Sequence, residues 1–251
     1  MPEPTSVKTA VILAAGIGSR IQNLWADAPK GLLSLGDTPI VERSIKQLLS
    51  HGITEIVLVT GHHAAQFEPL AARYPGIKTV YNPLYATSGS MYSLYCARHL
   101  LQDVFLLLES DLIYEDRALA ALIACPHTNA TVVSGFTHAG DEAFTEVKGD
   151  RVKRISKQRE ELANVTGEMI GISKVSPALF QAMVAYAEQS FQEDLKLEYY
   201  SGCLNAIIEQ IDLFCCKIDD LIWAEIDDGA QWQRAREKIF PQLLAASGQP
   251  I

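Results

Sequence analysis

Val7-Lys8-Thr9-Ala10-Val11-Ile12-Leu13-Ala14-Ala15-Gly16-Ile17-Gly18-Ser19-Arg20 is the stretch whose reading decides the fold. Residues 7–13 are almost continuously apolar, the pattern of a strand covered on both faces. Small residues and two glycines follow at 14–20, where backbone N–H groups can turn inward and cradle a phosphate. The loop fits neither common phosphate fingerprint. Ile21 stands where a dinucleotide-binding loop needs its third glycine, and the Gly-Lys-Ser/Thr ending of a P-loop is missing. Taken alone, the stretch is also compatible with a glycine-rich turn of no special role.

Outward from this segment, short apolar runs at 55–60, 77–81, 104–109 and 131–136 read as strands. Between them lie helical patterns at 39–52, 63–74, 90–101 and 115–124, the first opened by Thr38 as N-cap and Pro39 in the first turn. Such alternation predicts βαβ units and a mostly parallel sheet with helices on both faces. The second half changes character. Short alternating segments at 144–147, 152–155 and 168–172, separated by turns such as Gly149-Asp150, predict antiparallel strands. Helices at 177–189 and 199–211, strands at 213–218 and 221–226, and a helix at 229–240 complete the expectation. With no repeat or linker, residues 1–251 read as one α/β domain. Residues 1–140 form its core, and 141–251 supply a small antiparallel sub-lobe with the closing strand and helix.

The 251 residues are 48% hydrophobic and 20% charged, with a net charge of -9. That balance argues against a nucleic-acid partner, which demands a basic footprint. An acidic protein that handles phosphates must concentrate its cations locally. Cys96, Cys125, Cys203, Cys215 and Cys216 form no CxxC pair and no zinc spacing, which suits a reducing compartment. Met1-Pro2-Glu3-Pro4 lacks the basic and apolar regions of a signal peptide. No apolar run reaches the ~20 residues of a membrane span. A cytoplasmic protein with no membrane partner is expected.

The local cations are there. Arg20 ends the glycine-rich loop, and Lys30 follows in Pro29-Lys30-Gly31. Carboxylates appear where open α/β sheets gather their ligands, beyond the carboxyl ends of strands. Asp111 follows the run 105–108, and Glu225, Asp227 and Asp228 cluster at the end of the strand at 221–226. Two such oxygen ligands suit Mg2+, which keeps its other positions for water and substrate phosphates. Asp228 reads as a helix N-cap, and Glu109 as support for the metal site.

Ala14-Ala15-Gly16-Ile17-Gly18-Ser19-Arg20 with Pro29-Lys30 resembles the signature of nucleotidyltransferases that activate sugar phosphates and phosphocholine. The resemblance implies a Rossmann-like mixed sheet, with the loop residues Ala14, Ala15, Gly16, Gly18 and Ser19 on a triphosphate. Arg20 would contact the β- and γ-phosphates, and Lys30 would neutralise the attacked region. One metal-binding aspartate would come from each of the two places already noted, matching Asp111 and Asp227. Asn82-Pro83-Leu84-Tyr85-Ala86-Thr87-Ser88-Gly89-Ser90 resembles the corresponding stretch of bacterial phosphocholine and 2-aminoethylphosphonate cytidylyltransferases. It implies CTP as donor, with Asn82, Ser88 and Gly89 near the nucleotide.

In Arg151-Val152-Lys153-Arg154-Ile155-Ser156-Lys157, alternation places Arg151, Lys153 and Ile155 on one face, continued by Lys157. Relatives carry a lysine after this strand that reaches the acceptor phosphate, and Lys157 matches it. A solvated basic hairpin is the competing reading. Glu198-Tyr199-Tyr200 resembles an acidic-aromatic stretch of the phosphocholine enzymes. It implies an acceptor with an amine head group, Glu198 as counter-ion and Tyr199 as packing. A helix start with buried tyrosines is the competing reading here. The expected activity is CMP transfer from CTP to 2-aminoethylphosphonate or phosphocholine with release of pyrophosphate, with a homodimer as the assembly to look for. The rivals are a sugar-1-phosphate nucleotidyltransferase and a catalytically dead nucleotide-binding regulatory subunit.

Overall fold

A computed structural model describes residues 7–21 and 28–248; residues 1–4, read above for targeting, lie outside that set. The first strand, β1 (Thr9–Ala14), is apolar on both sides and sits inside the sheet. A two-residue ribbon of β2 (Ser34–Leu35) and β3 (Thr38–Pro39) leads into α1 (Ile40–Ser50). Pro39, not Thr38, occupies the N-cap of α1, because Thr38 is taken up pairing with Leu35. Ile40, Val41, Ser44, Ile45 and Leu48 recur at helical spacing and form the buried face of α1.

The chain continues through β4 (Glu55–Thr60), α2 (Glu68–Arg73), β5 (Ile77–Tyr81), α3 (Ser90–Cys96) and β6 (Phe105–Glu109). Helix α2 starts later than the pattern at 63–74 predicts. His63 adopts a left-handed φ of 53° and a 3-10 turn precedes the helix. A short strand, β7 (Leu112–Tyr114), follows the first sheet carboxylates, and then come α4 (Arg117–Ala124) and β8 (Ala130–Ser134).

The second half runs β9 (Phe144–Lys148), β10 (Arg151–Ser156), β11 (Val165–Val175), α5 (Pro177–Ser190), α6 (Asn205–Ile207), β12 (Phe214–Ile218), β13 (Trp223–Glu225), α7 (Gly229–Arg234) and α8 (Phe240–Ala246). Its largest departure from expectation is β11. Residues 168–172 do not form a short sub-lobe strand but the middle of a long one. Its end pairs antiparallel with β6 while its body pairs with β8, so it lies inside the main sheet. Buried on both faces, β11 has no polar alternation to mark its ends. The expected helix at 199–211 is instead a π-helical turn (Tyr199–Leu204) followed by α6.

The nine-stranded sheet runs β5-β4-β1-β6-β11-β8-β12-β10-β9, and it curls so that β9 also pairs with β11. Strands β5, β4, β1 and β6 are mutually parallel. Alternate residues of β1 and β6 feed two cores. Ala10, Ile12, Leu106 and Leu108 pack with α1 and α4, while Val11, Leu13, Phe105 and Leu107 pack with α3 and α5. A third cluster joins Leu33, Leu35 and Ile40 to Ile113, Ile226 and Trp232. Each fully buried Leu or Ile contributes ~1.5–3 kcal/mol relative to exposure. This cluster therefore fixes the segment after Pro29 against the C-terminal part of the chain.

A nucleotide-sized cavity and its acidic floor

The glycine-rich loop leaves β1 at the carboxyl edge of the parallel strands. Gly18 holds a left-handed φ of 66°, and a Cβ there would come within 2.8 Å of Lys30 Cγ. The aliphatic stem of Lys30 thus lies across the glycine, and loop and lysine are placed together. Lys30 begins a 3-10 turn, Lys30–Leu32, anchored by Leu33 and Leu35 in the third cluster. Its ammonium lies 2.6 Å from Asp111 and also bonds Asp227. Burial works against the lysine charge, but the two carboxylates hold its pKa well above the ordinary lysine range.

The ribbon formed by β7 and β13 explains why these two aspartates meet. Leu112 stands opposite Glu225 in an antiparallel pair, and the N–H of Ile226 donates to the carbonyl of Asp111 at 3.1 Å. The sequence pattern leaves residues 112–114 unassigned between the strand at 104–109 and the helix at 115–124, because only Ser110 and Asp111 separate β7 from β6. Asp227 is fixed further: its N–H donates to Gln231 Oε1 at 2.6 Å. Asp228 caps α7 by accepting from the N–H of Gln231 at 2.8 Å, the role expected for it.

The electrostatics of this floor are uneven. Burial opposes ionisation of Asp227, yet Lys30 and Arg20 together hold its pKa down to about 2. Burial, reinforced by the charge of Asp111, pushes Glu109 up to about 8. Glu225 is raised well above the carboxylate range, by burial first and then by Glu109. Oxygens of Glu109, Asp111 and Glu225 lie within 4.8 Å of one another. An all-oxygen set of this kind, with Asp227 converging on the same ammonium as Asp111, fits a hard divalent ion.

Above the floor lies a cavity of about 540 Å³, lined by Ala14, Ala15, Gly16 and Gly18 on the loop side and by Ser88 and Gly89 opposite. Arg20, Lys30, Lys157, Glu198, Asp111 and Asp227 also face it. Arg20 pairs with Asp141 at 3.0 Å and Asp227 at 2.8 Å, while Lys157 pairs with Asp141 at 2.7 Å. Burial opposes the charge of Lys157, but Tyr200 and Asp141 keep it raised.

Four of the expected placements are corrected. Asn82 is 1% exposed and lies beneath the cavity wall. It donates to Ser88 Oγ and Ser93 Oγ at 3.1 and 3.0 Å and accepts from the N–H of Leu84 at 2.8 Å, so it shapes the loop without lining the cavity. Ser19 is exposed and lies outside the lining. Tyr199 is fully buried, its hydroxyl turned to Glu109, and Tyr200 is the tyrosine that faces the cavity. The even alternation proposed for 151–157 fails because a bulge falls between Val152 and Arg154, which buries both Val152 and Ile155.

Glu198 reaches the cavity, but its carboxylate is shared. One oxygen accepts from the hydroxyl of Ser90 and, at 3.4 Å, from its N–H, at the start of α3. Gly89 makes this approach possible: its N–H donates to Leu195 O at 2.8 Å, and a Cβ would meet Leu197 O at 2.4 Å. Asp141, Tyr200 and Glu225 join the site without having been assigned a role in it from sequence. Asp141 lies in an irregular segment, and nothing in its local pattern marks a residue that joins Arg20 to Lys157. Glu225 carried a signal, since it precedes Asp227 by two positions on the same strand end.

Residues 10–201 match the model of the MobA-like NTP transferase domain. The chain belongs to that family. It is a nucleotidyltransferase. The 2-aminoethylphosphonate cytidylyltransferase of Lancefieldella rimae is 28% identical over 227 residues, covering 88% of this chain and 89% of that one. The choline-phosphate cytidylyltransferase of Streptococcus pneumoniae is 23% identical over 230 residues, covering 91% of this chain and 96% of that one. In fold, the transferase is similar to the inositol-1-phosphate CTP transferase from T. maritima, with a TM-score of 0.81 and 17% identity. That likeness covers 99% of this chain and 100% of the other. Among the described residues of the transferase, no helix is long and apolar enough to cross a membrane.

Proposed function

We propose that this nucleotidyltransferase is a Mg2+-dependent cytidylyltransferase that moves CMP from CTP to a small phosphate or phosphonate bearing an amine. The observation that carries the reading is the joint placement of Lys30 against Gly18 and between Asp111 and Asp227. One cavity thus holds a phosphate-cradling loop, a cation and a metal-type acidic pair. The loop N–H groups and Arg20 bind the triphosphate. An acceptor oxygen attacks the α-phosphorus in line, the bond to the β-phosphate oxygen breaks, and pyrophosphate leaves. Lys30 offsets the charge that develops there, and Lys157 holds the acceptor phosphate, so catalysis is positioning and electrostatics. Asp111 and Asp227, with Glu109 and Glu225 beside them, would hold Mg2+, which would supply further neutralisation of phosphate charge.

The amine is favoured by Glu198, a carboxylate on the cavity wall that is hydrogen-bonded there by Ser90. A primary ammonium offers three donors that require acceptors once desolvated. Among the described residues, the tyrosines that line the cavity are Tyr85 and Tyr200, whereas a quaternary head group calls for several aromatic faces around its methyl groups. All five cysteines are free, and we assign the enzyme to the cytoplasm.

Two results test this reading. CTP is expected to exceed UTP in kcat/KM by at least tenfold with a common acceptor, since a fixed acceptor facing the cytosine amino group repels the uracil carbonyl. Both named cytidylyltransferase relatives support that choice. Equal kcat/KM for CTP and UTP removes it. Glu198→Gln keeps an oxygen for Ser90 but loses the charge. It is expected to raise KM for 2-aminoethylphosphonate more than tenfold while KM for CTP stays unchanged. A silent Glu198→Gln, with phosphocholine the better acceptor, favours the aromatic reading instead.

A further inference from the structure

Asp141 holds two cations that the reaction would use for different substrates. Its Oδ2 pairs with Arg20 Nη1 at 3.0 Å, and its Oδ1 with Lys157 Nζ at 2.7 Å. Both cations line the nucleotide cavity, whereas Asp141 stays out of that lining. Its side chain is 20% exposed, against 55% for Arg20 and 39% for Lys157, so the acid is the better-fixed partner in both pairs. The segment that carries it is pinned on either side. Upstream, the N–H and hydroxyl of Thr137 donate to the buried carboxylate of Glu168 at 2.6 and 2.8 Å. Downstream, the carbonyl of Ala143 accepts from the N–H of Met169 at 2.9 Å. Between the pins, His138 and Gly140 adopt left-handed φ values of 53° and 92°, which turn the chain sharply. A carboxylate on so short a span between two anchors has little freedom to follow its partners.

In-line attack requires the acceptor phosphate and the α-phosphorus to meet at a set distance and angle, and a misplacement of about 1 Å can cost ~10² in rate. Long arginine and lysine side chains do not keep such a spacing by themselves, since each has several free torsions. The two oxygens of one carboxylate do. Asp227 bonds the other arm of Arg20 at 2.8 Å, which ties the same spacing to the acidic floor. We propose that Asp141 is a positioning residue that sets Arg20 and Lys157 at a fixed separation, and through them the approach of the acceptor to CTP. The inference rests on the roles given above to Arg20, at the triphosphate, and to Lys157, at the acceptor phosphate. Glu142, the neighbouring acid, accepts instead from the N–H of Gly140 at 3.0 Å.

The test is the kinetics of pyrophosphate release from CTP with 2-aminoethylphosphonate, together with calorimetric titration of CTP alone, on the full chain. Asp141→Ala is expected to lower kcat by roughly tenfold or more, while Kd for CTP changes less than about threefold. Asp141→Asn offers one oxygen and should lose activity similarly, whereas Asp141→Glu keeps both oxygens and should recover most of it. Glu142→Gln removes the same charge one residue away and should leave kcat within about twofold. Because Asp141 acts through its partners, Asp141→Ala should cost less than about threefold in kcat when made in a Lys157→Ala background. Wild-type kcat in Asp141→Ala, an equal loss in Glu142→Gln, or a fully additive loss in the double variant would each overturn the inference while leaving the proposed function standing. No turnover of the wild type with any acceptor would overturn the proposed function and the inference with it.

Discussion

Asp111→Asn and Asp227→Asn are each expected to lower turnover by at least 10³ while the far-UV spectrum of the fold persists. Both carboxylates reach one Lys30 ammonium, and an amide in either position removes a full negative charge from the metal-type floor. An amide is a far poorer ligand than a carboxylate for a hard divalent ion. The two replacements should differ in stability. Asp227 also holds Arg20, and its carboxylate sits at a pKa of about 2. A carboxylate depressed in the folded state stabilises it above the unfolded pKa, and the gain is lost as pH falls through the folded value. Asp227→Asn should therefore cost on the order of 2 kcal/mol at neutral pH, with the gap to wild type closing between about pH 4 and pH 2. Thermal denaturation across that range reads it. EDTA-treated enzyme should be inactive and recover on adding Mg2+. Full activity without added metal, or in either Asn variant, removes the metal role.

Lys30→Ala is expected to lower kcat by ~10²–10³, the usual cost of one well-placed electrostatic donor. Were Lys30 an ordinary exposed lysine, its loss would scarcely touch stability. Its side chain is instead 14% exposed and clamped between two acids. Removing it leaves Asp111 and Asp227 facing one another beside Glu109 and Glu225, so a measurable fall in Tm should accompany the kinetic loss. Arg20→Ala, at 55% side-chain exposure, should leave Tm nearly unchanged and act chiefly on KM for CTP. A Lys30→Ala enzyme with wild-type kcat would reduce the loop cations to ordinary surface charges.

Legibility in the sequence followed physical cause. The β1 loop, Lys30 and the strand-terminal aspartates could be read because each depends on local pattern: a continuous apolar run, then residues suited to a turn or an edge. What could not be read depends on long-range pairing. Strand β11 hides because burial on both faces erases alternation, and β7 hides because a two-residue turn separates it from β6. Asn82 looked like a ligand, since an Asn before a Pro-Leu turn gives the same pattern whether its amide faces substrate or braces the loop. Tyr199 and Tyr200 are adjacent, and only the π-helical turn decides which one is buried. Asp141 joins Arg20 to Lys157 through side chains alone, with no periodicity to announce it.

The most direct measurement is ³¹P NMR of the enzyme with CTP, Mg2+ and, in turn, 2-aminoethylphosphonate, phosphocholine or glucose 1-phosphate. The account predicts stoichiometric pyrophosphate and a new CMP-linked resonance with the amine-bearing acceptors, strongest with 2-aminoethylphosphonate. Turnover confined to glucose 1-phosphate, or no pyrophosphate with any acceptor, would contradict it.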